Sequence, residues 1–328
     1  MIPQRSLGKE ALKVGAIGYG AMVLEGWYGA VDEAAAVNTI RHALDTGVNF
    51  IDTADAYGNG HNEELVGRAI KGRRQDCVIA TKFGIVFEPG IPGTEWPTNF
   101  GFSLFINGKP DYVRKCLDNS LRRLGVETID LWYLHWPDRS LPIEETVSAM
   151  AEGVKAGKVR HLGLSNVTAD ETRRANLVHP ITAVQYEYSL WRRELESSLL
   201  PVLRELGIGL VPWAPLGSGF LSGKVPELSK DDWRNKNPRY VGDNLKANQD
   251  RFAPFMSLAK ELGLTPAQLA LAWLLHQGEN VVPIPGSRRK ERVSENAAAA
   301  SVKLSADVLR RMEQILPAGS AAGASLID

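Results

Sequence analysis

Short apolar runs alternate along this chain with longer amphipathic ones. The short runs are Val14–Ile17, Val48–Ile51, Cys77–Ala80, Ile129–Tyr133, Val159–Leu164, Ala183–Gln185, Ile208–Pro212 and Val281–Pro283. Each is too short for a helix and rich in β-branched or aromatic residues, the composition of buried strands. Between them apolar positions recur at helical spacing. Asp32 is placed to cap a helix over Glu33–Thr46 that Gly47 stops, and Glu63–Ile70 runs to Gly72. Asp111 is placed to cap Tyr112–Leu124, where Leu117, Leu121 and Leu124 share one face. Pro142 precedes Ile143–Ala156, which stops at Gly157. Thr168–Asn176, Arg193–Leu206, Leu245–Leu262 and Pro266–His276 complete the series.

Strands alternating with helices in this way predict an α/β fold, the (β/α)8 TIM barrel. The 328 residues suit one such domain over 1–328, with insertions and extra C-terminal helices. Ile2–Lys13 reads as an N-terminal β-hairpin closing the barrel floor. Surplus length falls after the third strand (Phe83–Lys109), after the seventh (Leu216–Asn244) and in the tail, Pro317–Asp328. The first two are long loops at the C-terminal face, where barrel active sites are built. The tail, dominated by Ala, Gly and Ser, is expected to be flexible.

Composition narrows the partners. Lys+Arg and Asp+Glu both number 38, and a neutral chain argues against nucleic acid or an anionic membrane. Cys77 and Cys116 cannot make a disulfide framework and read as reduced thiols in a cytoplasmic protein. Residues 1–5 show no apolar signal region, and no apolar run approaches the length of about 18 residues that spans a membrane.

The residues just after each strand carry the chemistry. They are Asp52 and Tyr57, Lys82, His135, Ser165 and Asn166, Gln185, Trp213, and Gly286-Ser287-Arg288-Arg289. Taken singly, Asp52 could be a turn residue, Lys82 a solvated charge and His135 a structural histidine. In a barrel, however, these distant positions converge on one face. A tyrosine with its ordinary pKa near 10 is a poor acid at neutral pH, and a nearby ammonium is expected to lower that value. A carboxylate can hold the ammonium, and a neutral imidazole can donate to a substrate oxygen. Such a site protonates a carbonyl, and hydride must then come from a cofactor. Gly18-Tyr19-Gly20 starts like a dinucleotide fingerprint, but Val23 stands where the third glycine belongs. Ser165 is in no Gly-x-Ser-x-Gly elbow, and the histidines lack metal-ligand spacing, so neither a hydrolase nor a metal site is expected.

Asp52-Thr53-Ala54-Asp55-Ala56-Tyr57-Gly58, Thr81-Lys82 and Leu134-His135 resemble the signatures of the aldo-keto reductase family. So do Gly163-Leu164-Ser165-Asn166, Trp213-Ala214-Pro215-Leu216-Gly217, and Ile284-Pro285-Gly286-Ser287 through Glu295-Asn296. The match runs in order over about residues 5–315. The resemblance implies an NADPH-dependent oxidoreductase that reduces an aldehyde or ketone by hydride transfer from nicotinamide C4. Tyr57 would be the general acid, Lys82 and Asp52 would tune it, and His135 would orient the carbonyl. Ser165, Asn166 and Gln185 would bind the carboxamide, and Trp213 would stack on the ring. Leu216, Ser218 and Gly219 would follow the pyrophosphate, and Gly286 would lie beside the last cofactor segment. Ser287, Arg288 and Arg292 would hold the 2′-phosphate, and Glu295 and Asn296 would meet the adenine. Ser218 departs from the family, where Arg or Lys is common, so NADH is a weaker alternative cofactor. Trp27, Phe83 and Trp136 are expected to line an apolar substrate pocket, suited to a moderately large apolar or cyclic ketone, sugar-like or terpenoid, over a tiny aldehyde. A second reading is a redox-sensing regulatory subunit similar to the potassium channel β-subunits, which share this fold.

Overall fold

The computed structural model describes all residues except 1, 10, 30, 224–227, 229, 231, 327 and 328. The described strands are β1 (Gln4–Leu7), β2 (Leu12–Gly15), β3 (Tyr19–Gly20), β4 (Phe50–Asp52), β5 (Val78–Phe83), β6 (Thr94–Pro97), β7 (Ser103–Ile106), β8 (Ile129–Leu134), β9 (Val159–Ser165), β10 (Ile181–Glu187) and β11 (Gly209–Trp213). The helices are α1 (Glu33–Asp45), α2 (His61–Ile70), α3 (Pro110–Leu124), α4 (Ile143–Lys155), α5 (Ala169–Val178), α6 (Leu195–Ser198), α7 (Leu200–Leu206), α8 (Gly242–Glu261), α9 (Pro266–Leu275), α10 (Lys290–Ala298) and α11 (Ala306–Ile315).

Seven strands form one parallel sheet in the order β3-β4-β5-β8-β9-β10-β11. The eighth stave is an extended segment rather than a strand. Val282 and Ile284 donate their N–H groups to the carbonyls of Leu210 and Pro212, at 2.9 and 3.1 Å. On the other side Gly18 donates to Pro283 at 2.9 Å and Gly20 to Pro285 at 3.5 Å. Proline has no N–H to donate back, so the ladder to β3 is incomplete although the barrel closes. The first stave also begins later than the apolar run suggested. Val14 belongs to β2, which pairs antiparallel with β1, and the barrel strand starts at Tyr19.

The β1–β2 hairpin plugs the floor, with Leu7 and Val14 buried among Phe50, Ala80, Leu131, Tyr133, Ala183 and Val211 in the inner core. A second, larger core fills the space between strands and helices. Asp32 caps α1 by accepting from the Ala35 N–H. Pro110, not Asp111, opens α3. The expected helix over Arg193–Leu206 is two helices, because Pro201 has no N–H to continue the one before it. The loop after β5 contains the antiparallel β6–β7 hairpin.

The described part of the tail is hydrogen-bonded to the rest of the fold; Ile327 and Asp328 lie outside the described residues. Arg251 donates to the Ser320 carbonyl at 2.6 Å, and Asn248 exchanges hydrogen bonds with Ala322 at 2.7 and 3.0 Å. Asn99 reaches the carbonyls of Ser325 and Leu326, at 3.0 and 3.1 Å.

Side-chain alternation positions the site. Phe50, Ala80, Leu131 and Ala183 fill the inner core, and two residues on in their strands stand Asp52, Lys82, Tyr133 and Gln185. With the strand period of two, these share the inward face one level nearer the C-terminal mouth. Thr81 and Phe83 fall on the opposite parity. Thr81 donates to Glu63 of α2, and Phe83 stacks on Trp132 with centroids 4.3 Å apart in the outer core.

Candidate active site

Asp52 ends β4, Lys82 is the penultimate residue of β5, and His135 follows β8. The Lys82 ammonium is fully buried and donates to Asp52 Oδ1 at 2.5 Å, to the Thr53 carbonyl at 2.8 Å and to the Tyr57 hydroxyl at 3.3 Å. Gln185 donates to the other Asp52 oxygen at 2.7 Å. The rings of Tyr57 and His135 meet edge to face, with centroids 5.8 Å apart. The structure thus gathers the four residues expected to carry the chemistry.

Their electrostatics follow from burial. Burial opposes the charge on Lys82, but Asp52 and then Tyr57 outweigh it and hold the ammonium above its ordinary value. Burial raises the Asp52 carboxyl despite the opposing pull of Lys82. Burial, and then the Lys82 charge, hold His135 well below the ordinary histidine value, so its ring is neutral at pH 7. Tyr57 differs from expectation. Burial raises its phenol above the ordinary value and outweighs the lowering by Lys82. Tyr57 is therefore fully protonated at neutral pH, with the Lys82 ammonium beside its hydroxyl.

A cleft of about 470 Å³ runs from Asp52, Tyr57 and His135, past Ser165, Asn166, Gln185 and Trp213, to Ser287 and Arg288. Leu216, Ser218, Gly219 and Gly286 also line it. Trp213 donates its indole N–H to Asn166 Oδ1 at 3.2 Å, and Asn166 donates to Ser165 Oγ at 3.0 Å and to the His135 carbonyl at 3.1 Å. Trp27 and Trp136 line the cleft, Trp27 with 41% of its surface exposed. Phe83, expected beside them, does not reach it, because its parity turns it toward the helices. Arg292, Glu295 and Asn296 also lie outside the lining. Arg292 is paired with Glu295, and Asn296 is buried.

Several lining residues escaped the sequence reading. Trp233 packs on Tyr28 with centroids 5.8 Å apart and on Phe100 at 5.6 Å, joining the loops that follow β11, β3 and β5. Arg234 grips Asp232 through two bonds of 2.6 and 2.9 Å and donates to the Ser218 carbonyl at 3.3 Å. A cation therefore stands beside Ser218, supplied from 16 residues further along the chain. Leu326 of the tail completes the rim. The one signal for Trp233 and Arg234 was the surplus length after the seventh strand; nothing in their spacing says that the loop folds back. Ala214 and Ser218 hold left-handed backbone, φ 47° and 55°, at a cost of about 1–2 kcal/mol each. The cleft wall there is shaped by a strained backbone.

One end of the cleft holds the Asp52, Lys82, Tyr57 and His135 cluster, and Arg234 and Arg288 line its other end. Residues 16–317 match the Aldo/keto reductase family. The chain belongs to the aldo/keto reductase family. It is an oxidoreductase enzyme. It is 44% identical over 321 residues to "Probable aldo-keto reductase 1" from Glycine max, with 97% of this chain and 90% of that protein covered. Among solved structures it is similar to the glycerol dehydrogenase of Gluconobacter oxydans, with a TM-score of 0.84, 30% identity and 95% and 94% of the two chains covered. It is also similar to an aldo-keto reductase from Klebsiella pneumoniae in complex with NADPH, with a TM-score of 0.73, 27% identity and 100% and 99% covered. Among the described residues no helix is long and apolar enough to cross a membrane.

Proposed function

We propose that this enzyme reduces an aldehyde or ketone to an alcohol with NADPH, Tyr57 supplying the proton. The observation that carries the reading is the contact of the Lys82 ammonium with both Asp52 and the Tyr57 hydroxyl, beside a neutral His135. When bound, the reduced nicotinamide supplies hydride to the carbonyl carbon. His135 presents a neutral ring, so it can donate one N–H to the carbonyl oxygen without introducing charge. Tyr57 passes its proton to that oxygen, and the phenolate left behind faces the Lys82 ammonium that Asp52 holds in place. Ser165, Asn166 and Gln185 orient the carboxamide, and Trp213 offers the stacking surface. These polar groups already satisfy one another, so binding exchanges hydrogen bonds rather than creating buried orphans.

The phosphates fall to the backbone of Leu216, Ser218 and Gly219 and to the cations of Arg234 and Arg288. Arg288 suits a 2′-phosphate because its planar fork makes paired charged hydrogen bonds. The substrate end is walled by Trp27, Ile85, Phe100, Phe102, Leu104 and Trp136. Each hydroxyl left unpaired against such walls would cost about 1–3 kcal/mol. We therefore favour a carbonyl with a large apolar body over a polyol. The test is NADPH oxidation at 340 nm across a carbonyl panel, with Tyr57→Phe as control. Turnover retained in that variant would overturn the proton-donor assignment.

A further inference from the structure

The turn that follows the proton donor is left-handed throughout. Gly58, Asn59 and Gly60 all hold left-handed backbone, with φ of 57°, 54° and 97°. Glycine takes up this conformation freely and asparagine tolerates it, so the local sequence allows the turn and its neighbours fix where it sits. What presses on this turn is a carboxylate from another loop. A Cβ added at Gly58 would sit 2.0 Å from Oε2 of Glu25, so that oxygen lies directly against the turn. The Glu25 side chain is only 7% exposed. It accepts from Asn62 at 2.8 Å and from His61 Nδ1 at 3.1 Å. Asn62 also donates to the Ala21 carbonyl at 3.1 Å and accepts from the Thr53 hydroxyl at 2.7 Å, and the Thr53 carbonyl in turn receives the Lys82 ammonium.

We propose that Glu25 is a positioning residue for the reaction: braced by His61 and Asn62, its carboxylate seats the turn after Tyr57 and, through Asn62 and Thr53, steadies the Lys82 end of the same contact. The inference rests on Tyr57 being the proton donor. The brace responds to pH. His61 donates Nδ1–H to Glu25 and Nε2–H to Glu33 at 3.0 Å, and Glu33 is also bound by Arg68 at 2.7 Å. On the far side of the turn Arg123 of α3 packs on Gly60 and pairs with Glu63 at 2.6 Å. Only the imidazolium has two N–H donors, so a neutral His61 can serve one carboxylate but not both. Burial opposes the charge on His61, but Glu25 and Glu33 outweigh it and hold the ring above its ordinary 6.5. The brace is complete below that raised value and loses one link as pH rises through it.

The test compares wild type, Glu25→Ala, Glu25→Gln and His61→Asn with NADPH and 4-nitrobenzaldehyde across pH. Glu25→Ala should lower kcat by about 10–100-fold, with the aldehyde KM and the NADPH Kd little changed. Glu25→Gln should recover most of the loss, because the amide fills the same space and can donate to a neutral His61. The limb in kcat above pH 6.5 should vanish in Glu25→Gln and in His61→Asn. A folded Glu25→Ala enzyme with wild-type kcat, or one that loses only KM, would overturn the proposal. So would a limb that survives in His61→Asn, which decides the matter if Glu25→Ala does not fold. A second readout needs no turnover. The tyrosine ¹³Cζ resonance that Tyr57→Phe removes should shift in Glu25→Ala and return toward its place in Glu25→Gln. An unmoved resonance would refute the positioning role even if wild type reduced no carbonyl, the result that would instead sink the reductase reading.

Discussion

Gln185 donates its side-chain amide to Asp52 at 2.7 Å, so a residue expected on the cofactor side and the carboxylate that holds Lys82 form one buried unit. Replacing Gln185 with Leu strips Asp52 Oδ2 of its donor. The loss should destabilise the fold by about 1–3 kcal/mol and lower kcat as well as weaken NADPH binding. Thermal melts and cofactor titrations check both. An effect confined to NADPH Kd would show that the two sites are uncoupled.

Tyr57→Phe should lower kcat by about 10²–10⁴-fold while NADPH still binds. Lys82→Met is expected to be costlier for the fold. It leaves Asp52 as an uncompensated buried carboxylate, a change worth about 3–5 kcal/mol. A Lys82→Met protein with a wild-type melting temperature would contradict this account of the pair.

His135 ties stability to acid. Its folded value lies well below the ordinary 6.5, so the unfolded chain binds this proton more tightly. Unfolding then takes up a proton once pH falls below 6.5, and stability should drop by up to about 1.4 kcal/mol per pH unit from this group. His61 acts in the opposite sense. Its raised value gives stability that is present below 6.5 and lost as pH rises through the folded value. Melting temperatures between pH 5 and 7 should therefore flatten in His135→Gln and not in His61→Asn.

Phe83 and Trp27 should separate stability from specificity. Phe83→Ala removes a ring stacked on Trp132 in the outer core and should cost about 3–5 kcal/mol while leaving carbonyl KM near wild type in enzyme that folds. Trp27→Ala, at the exposed rim of the cleft, should raise KM for bulky apolar carbonyls with little change in melting temperature. The reverse outcome would mean that Phe83 reaches substrate after all.

Arg288 lines the cleft, whereas Arg292 is paired with Glu295 outside it. Arg288→Ala should raise KM for NADPH far more than for NADH, and Arg292→Ala should do so less. Equal effects of Arg288→Ala on both cofactors would remove Arg288 from the 2′-phosphate site.

Much of this protein is determined locally. The strands and helices follow from periodicity, and Asp52, Lys82 and Gln185 are legible because they stand at strand ends, which a barrel gathers on one face. Place at a strand end does not by itself assign a face, and Phe83, one residue off the parity of Lys82, turns away from the cleft. Other features depend on which surfaces meet. The net rise at Tyr57 comes from burial depth, which no spacing reveals. Arg234 beside Ser218 within one long loop, and Glu25 beneath Gly58 and the tail over Asn99 between separate segments, are contacts made by irregular backbone with no period to read. The chain by itself determined the barrel and the inward-facing chemistry, because hydrogen-bonded strands repeat; only the tertiary structure decided how the loops close over that chemistry, because their positions are set by packing rather than by period.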